Sequence, residues 1–309
     1  MADLVSDPLG LVLLLSLPVA VVLVAGLAAC ADATLAGAGP GSVPVEVARL
    51  LVGRRRRTPS DDAVLGRGGA ALLPVVAVLA AAVVPLGPRP VADLDVGVVW
   101  FNAMEVLAWV AVWTAGWGPN AAPSLVGGYR GIAQGLAYEL PHMFAIITPA
   151  IAAGSLRVTD VVAAQQGLWF AAWMPVAFVL YLVSVAAMAF WGPFAGPLGR
   201  DLAGGAAAEH AGVDRLLLLA GRWMLVTVAA AFAVPLFLGG GAPLPGLGAL
   251  GGPAWAWAAG KTVVVLAVLV AARHLLPTLR MTRFASFSWV VLLPLGVAQA
   301  LVVSLGVIT

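Results

Sequence analysis

Between Gly128 and Pro141 the chain reads Gly-Tyr-Arg-Gly-Ile-Ala-Gln-Gly-Leu-Ala-Tyr-Glu-Leu-Pro, setting Arg130, Gln134, Tyr138 and Glu139 inside an otherwise apolar run of membrane-spanning length. On a helix Arg130, Gln134 and Tyr138 share one face, with Glu139 beside them, and such a stripe cannot face lipid. An ionisable side chain at bilayer depth is costly and marks a proton or ion pathway, a substrate cavity or a partner charge. The structural alternative is a Glu139 near the interface that only pairs with a neighbouring helix. Arg130 lies nine residues before Glu139, roughly 13 Å along a helix axis at about 1.5 Å per residue, which is too far for a direct salt bridge. Arg130 can therefore hold the cytoplasmic rim of a cavity while Glu139 exchanges protons deeper in. Gln134 and Tyr138 offer hydrogen-bonding groups or water sites between them.

The other ionisable groups inside apolar runs are Glu105, Arg222 and Lys261. Two acids and two bases permit pairing within the bundle, the usual way buried charge is tolerated. They equally permit a relay, because carboxyl groups in apolar surroundings can exchange protons near neutral pH. His142, His210 and His274 read as lying toward helix ends, Cys30 is the single cysteine, and there is no Walker loop or Ser-His-Asp arrangement. The chain is expected to bind no metal and no redox cofactor of its own.

The elements that must position these groups follow from composition. Hydrophobic residues make up 62% and charged residues 10% of 309 residues, with a mean hydropathy of +1.04, whereas a soluble domain carries about 25% charge. This describes an all-α polytopic membrane protein, a single transmembrane domain with no large soluble part. Eight runs are apolar enough to span, at about 9–31, 69–87, 97–117, 129–154, 167–191, 216–239, 253–273 and 286–308. The first ends in Ala-Ala-Cys-Ala around Cys30, which resembles a lipoprotein cleavage site. Asp3 and Asp7, with no positive residue ahead of it, favour a retained spanning helix.

An even number of spans puts both termini on one side. The connections after the odd-numbered runs hold Arg49, Arg54, Arg55, Arg56, Arg57, Arg67, Arg130, Arg200, Arg215, Arg273, Arg280 and Arg283; the other side holds only Arg89 and Arg157. By the positive-inside rule the arginine-rich side is cytoplasmic and both termini face out. In the longest connection Val43, Val47, Leu50 and Leu51 alternate with Glu46 and Arg49 ahead of Arg54–Arg57, a pattern that suits a short helix in the cytoplasmic interface. Its arginines either meet lipid phosphates or a docked partner, or simply anchor the topology. The loop from Gly239 to Pro253, rich in Gly and Pro and free of charge, reads as an exterior turn.

With these residues in view, the chain resembles the eight-helix quinone-chamber membrane protein of complex I (its H-type subunit, also numbered subunit 1), which is related to anchor subunits of membrane-bound hydrogenases. That family reads Gly-Trp and then Leu-Arg-x-x-x-Gln-x-x-Ser-Tyr-Glu; here Gly116-Trp117 precedes Tyr129-Arg130-x-x-x-Gln134-x-x-Ala137-Tyr138-Glu139. Ala92-Asp93-Leu94-Asp95-Val96-Gly97-Val98 resembles the family's Ala-Asp-Leu-Asn-Ile-Gly-Val. Lys261-Thr262, Arg273-x-x-x-Pro277-x-x-Arg280 and Leu293-Pro294-Leu295 resemble motifs of its last two helices.

Departures fall in the cytoplasmic loops. The family's Glu-Thr-Asn-Arg-Ala-Pro-Phe-Asp-Leu-Pro-Glu between helices five and six is here Phe190-Trp191-Gly192-Pro193-Phe194-Ala-Gly-Pro197-Leu-Gly-Arg200, and most of its acids are gone. Asp201 and Glu209 remain as counterparts of later acids, and Glu46 and Arg49 stand where an Asp and a Lys are expected in the first loop.

The resemblance implies a membrane subunit of a proton-translocating NADH:quinone oxidoreductase in the cell (plasma or inner) membrane. Arg130, Gln134, Tyr138, Glu46 and Arg49 would border the cavity of the quinone substrate, and Glu139, Glu105, Asp201, Glu209 and Lys261 would relay protons. Other membrane-arm subunits, and peripheral-arm subunits carrying flavin and iron–sulfur clusters, would be its partners together with the lipid bilayer; nucleic acid would not. A hydrogenase-type anchor remains open and would be marked by a neighbouring gene for a nickel-site subunit. A stand-alone transporter would show internal repeats with matching broken helices, and the two halves show no convincing repeat.

Two expectations are directly measurable. Reporter tags at Gly53 and Gly204 should be read from the cytoplasm and one at Gly241 from the exterior; the reversed pattern removes the orientation. The purified single chain should be colourless, and a bound chromophore would show the ligand count to be wrong.

Overall fold

A backbone in lipid can satisfy its N–H and C=O groups only within its own segment, so the apolar runs become helices. The computed structural model describes residues 8–85, 87, 89–199, 204–244 and 251–308, and no strand occurs among them. The helices are α1 (Pro8–Leu35), α2 (Ser42–Val52), α3 (Ala63–Ala81), α4 (Gly97–Trp117), α5 (Ala122–Ala153), α6 (Val158–Ala163), α7 (Phe170–Trp173), α8 (Pro175–Met188), α9 (Gly212–Phe237), α10 (Ala254–Leu275), α11 (Met281–Phe287) and α12 (Leu293–Ile308). Two 3₁₀ turns, Gly192–Phe194 and Gly196–Leu198, follow α8, and a π-turn, Ser288–Leu292, joins α11 to α12. Among the described residues seven helices are long and apolar enough to cross a membrane, counting α11 through α12 as one.

The fifth expected span, 167–191, is not one helix. It breaks at Met174 (φ −127°, ψ 61°) into α7 and α8. Pro175 disfavours the helical conformation of the residue before it and cannot donate the next backbone hydrogen bond. The 14-residue α8 covers about 21 Å at ~1.5 Å per residue, so it crosses only part of a hydrocarbon core about 30 Å thick. Two boundaries also shift. The second span begins at Ala63 because the Asp62 carboxylate accepts from Val64 N (3.0 Å) and Leu65 N (3.1 Å) and caps it there. The fourth begins at Ala122, which moves Arg130 out of the connection and into the helix.

α2 is the amphipathic segment expected in the first connection. Leu50 is buried beneath it, while Glu46 and Arg49 pair at 2.6 Å on its exposed face.

α9 and α5 form the centre of the bundle. Two thirds of the apolar window of α9 is buried, against 22% for α1 and for the last span, which therefore make the rim. α9 packs on α1, α3, α8 and α10, and α5 packs on α4, α8 and α12. Phe101 of α4 stacks on Phe232 of α9 at 3.9 Å. Small residues let the helices approach closely, as lipid-embedded bundles require. Where α4 meets α5, a Cβ on Gly116 would lie 2.7 Å from Ser124 O and 2.8 Å from Gly128 Cα. Gly116→Leu should therefore separate α4 from α5 and cost more than the ~1–3 kcal/mol of an overpacked core. A large fall in the thermal stability of the detergent-solubilised protein checks this, with Gly68→Leu, whose Cβ would meet nothing within 4 Å, as the comparison.

Candidate functional site

The polar stripe runs along α5, whose 32 residues extend about 48 Å at ~1.5 Å per residue. Its two halves meet different partners. In the first half Ser124, Arg130 and Gln134 hold the connection between α8 and α9. Ser124 Oγ donates to Ala206 O (3.1 Å), Arg130 Nη1 to Gly204 O (2.9 Å), and Gln134 Nε2 to Ala187 O (2.7 Å) and Phe194 O (3.2 Å). That connection is rich in Gly and Pro, so its carbonyls lack regular partners and the side chains of α5 supply them. Among the described residues Arg130 spends one of its five N–H donors in this way.

Tyr138 and Glu139 fall at the midpoint of α5. Asn102 of α4 donates to Glu139 Oε1 at 3.4 Å. Glu105, one helical turn beyond Asn102, lies 2.7 Å from His142 Nε2 of α5, and both side chains are fully buried. Tyr138 is wholly buried in the field of both carboxylates. The His142 ring lies 5.5 Å from that of Tyr181 on α8, whose hydroxyl donates to Ala229 O (2.8 Å). The structure thus brings Glu105, Tyr138 and Glu139 together, with His142 as an added member.

Pro141 stands between Glu139 and His142 and deprives the Ala137 carbonyl of its helical donor. Ser288, from the π-turn of the last span, donates to that carbonyl at 2.5 Å. A proline inside a spanning helix is tolerated when a neighbour supplies the missing bond, as here.

The remaining sequence candidates lie apart from this cluster. Lys261 Nζ donates to Leu238 O (2.6 Å), Gly240 O (2.9 Å) and Ala242 O (2.7 Å), and lies 4.2 Å from the Trp169 ring centroid. All three ammonium donors are spent on the C-terminal end of α9, where a cation suits the helix dipole. The loop read as a plain exterior turn is therefore the seat of a buried lysine. Arg222 is not paired with a span acid either: its guanidinium and that of Arg273 lie 5.4 and 4.9 Å from the Trp191 ring. Asp32 takes Arg273 (2.5 Å) and His274 (2.9 Å).

Glu209 pairs with Arg56 (3.2 Å) and Asp214 with Arg55 (3.4 Å), tying the first connection to that before α9 around a small mouth of about 30 Å³ lined by Arg57, Asp61, Arg67 and His210. Glu46 and Arg49 lie with each other on exposed α2; hydrogen bonding to Glu46, and then its charge, raise the Arg49 pKa. Asp201 lies outside the described residues.

Sequence reasoning missed His142, assigning it to a helix end. The signal was present: the four-residue spacing of Arg130, Gln134 and Tyr138 continues to His142, so the stripe has a fourth member on the same face. Asn102 and Ser288 had no comparable signal, because each meets α5 from another span.

The family of the chain follows from comparison with known proteins. The family described as NADH dehydrogenase matches residues 45–304. The H-type subunit of NADH-quinone oxidoreductase numbered 2 in Geobacter sulfurreducens is 34% identical over 83% of this chain and 80% of its own length. The one numbered 1 in Geobacter metallireducens is 33% identical over the same shares. The corresponding protein of Anoxybacillus flavithermus is 32% identical over 69% of this chain and 64% of its own. Matched from the amphipathic helix α2 into the last span, with the Arg130-to-Glu139 stripe on a central helix, the chain belongs to the family of H-type subunits of NADH-quinone oxidoreductase, membrane proteins of complex I.

Proposed function

We propose that this chain forms the membrane side of a quinone chamber and passes protons through the middle of its fourth span. As a member of its family it is a multi-pass membrane subunit of an oxidoreductase complex. Reduction of quinone by NADH, the reaction in its relatives' names, is carried to this chain by that kinship. Flavin and iron–sulfur chemistry is assigned to peripheral subunits, quinone is the substrate, and the cell membrane, with both termini outside, is the location.

The observation that carries the proton reading is the meeting of Glu139, Glu105, Tyr138 and His142 at the centre of the bundle. The half-buried Glu139 carboxyl, set beside the fully buried Glu105 and other proton-exchanging groups, suits relay chemistry. Arg130, its guanidinium beside the connection before α9, suits the rim of the chamber. The acids of that connection, Glu209 and Asp201, are the candidates for bringing protons toward it. Lys261, saturated by carbonyls, serves to hold the exterior end of α9.

Glu139→Gln preserves size and hydrogen bonding while removing ionisation. In the assembled complex it should lower quinone-linked turnover or proton translocation by at least ~10-fold, within the range of a lost acid–base group. Wild-type pumping in an assembled Glu139→Gln complex would sink the relay. If that variant does not assemble, Glu139→Asp, which keeps the charge, is measured, and normal assembly with altered pumping is expected.

A further inference from the structure

Glu105 and His142 are wholly buried and 2.7 Å apart, on different helices and at mid-bundle. A buried acid–base pair of this kind is costly to embed and weak evidence for stability, since apolar residues of similar volume often serve as well. Its surroundings are incompletely satisfied. Both Glu105 oxygens, both His142 ring nitrogens, Glu139 Oε2, Asn102 Oδ1 and the Tyr138 hydroxyl are buried without a well-aligned hydrogen-bond partner, so Glu105 and His142 stand close without being bonded. Each such atom costs about 1–3 kcal/mol if left alone, and unpaired polar atoms clustered in a polar site are where water or a moving proton belongs. His142 follows Tyr138 by one helical turn and Glu139 by three residues, so its ring shares their face of α5.

Among these groups only the imidazole has two nitrogens on opposite sides of a ring, so it can accept a proton at one and release a proton from the other. We propose that His142 is a proton-carrying residue that links Glu139 to Glu105, a step that rests on the reading of Glu139 given above. The protonated Glu139 carboxyl gives its proton to Nδ1, directly or through one water. The proton already on Nε2 passes to Glu105 Oε2. Glu139 is left as a carboxylate, Glu105 becomes a carboxylic acid, and His142 stays neutral in the other tautomer. One proton has moved from α5 to α4 with no change in the charge of the cluster. Tyr138 on α5 and Tyr181 on α8 face the same groups, and the Tyr181 hydroxyl is committed to Ala229 O.

The test uses the whole complex reconstituted in vesicles, reading quinone turnover and protons moved per electron together. His142→Gln, and the double variant Glu105→Met with His142→Leu, remove the proton-carrying pair; the double variant leaves no orphaned partner and approximately fills the space. Both should assemble and lose proton translocation about 10-fold or more, and the exchanged pair Glu105→His with His142→Glu should recover part of it. A merely structural pair would not give this pattern, because the double apolar variant keeps the packing. Wild-type proton stoichiometry in the double variant overturns the proposal. So does failure of the double variant to assemble where Glu139→Gln assembles, which assigns the pair to folding. If Glu139→Gln is impaired and the pair variants are not, only this inference fails; if Glu139→Gln pumps normally, the reading of Glu139 fails as well.

Discussion

Hydrocarbon offers no hydrogen bonds, so a helix with polar residues along one face must be enclosed on that face by protein. α5 carries such a face over most of its length, and the arrangement of its neighbours follows from the need to meet it. The connection before α9 folds back onto Ser124, Arg130 and Gln134, α4 brings Asn102 and Glu105 to the midpoint, and the last span brings Ser288 to the carbonyl freed by Pro141. α1 and the last span, whose surfaces are mostly apolar and unburied, are left to form the rim.

The centre of the bundle is correspondingly rigid in its demands. Glycines at the α4–α5 crossing and at Gly221, whose Cβ would come 2.8 Å from Pro74 N, allow close backbone approach. Close approach in turn puts Glu105 and His142 within hydrogen-bonding distance across the interface. Helices held further apart would leave each of these groups alone in an apolar medium, at a cost of several kcal/mol.

Much of this was legible in the sequence. Hydropathy located the spans, and the third, 97–117, matches α4; spacing identified the face of α5 that required partners. What remained hidden has particular physical causes. Pro175 was visible, yet a continuous apolar run outweighed it, and the break at Met174 was read as helix. Asp62 was visible too, but its role as a cap depends on where the chain leaves the preceding loop. The partners of Lys261 are backbone carbonyls, which every residue possesses and no sequence pattern names. Pro141 announces that the Ala137 carbonyl needs a donor, but the donor stands 151 residues away. His142 alone was misjudged against a signal already in hand, since it continues the spacing of the stripe.

The division of α5 into two halves bears on how its N-terminal half can communicate with groups at its centre. Arg130 and Gln134 hold the connection before α9 by its carbonyls, and Tyr138, Glu139 and His142 follow on the same rigid helix within the next few turns. Displacing that connection must break bonds to buried donors, at about 1–3 kcal/mol for each polar group left unpaired, or carry α5 with it. The helix has a joint at Pro141, where the missing backbone bond is replaced by Ser288 from the π-turn. A shift of the first half relative to the second would therefore be absorbed in the turn from Ala137 to Pro141, which carries Tyr138 and Glu139. Coupling between the first half of α5 and the buried cluster then needs no long chain of intermediates. It needs only that α5 has two arrangements about this joint and that a molecule bound at the first half favours one of them.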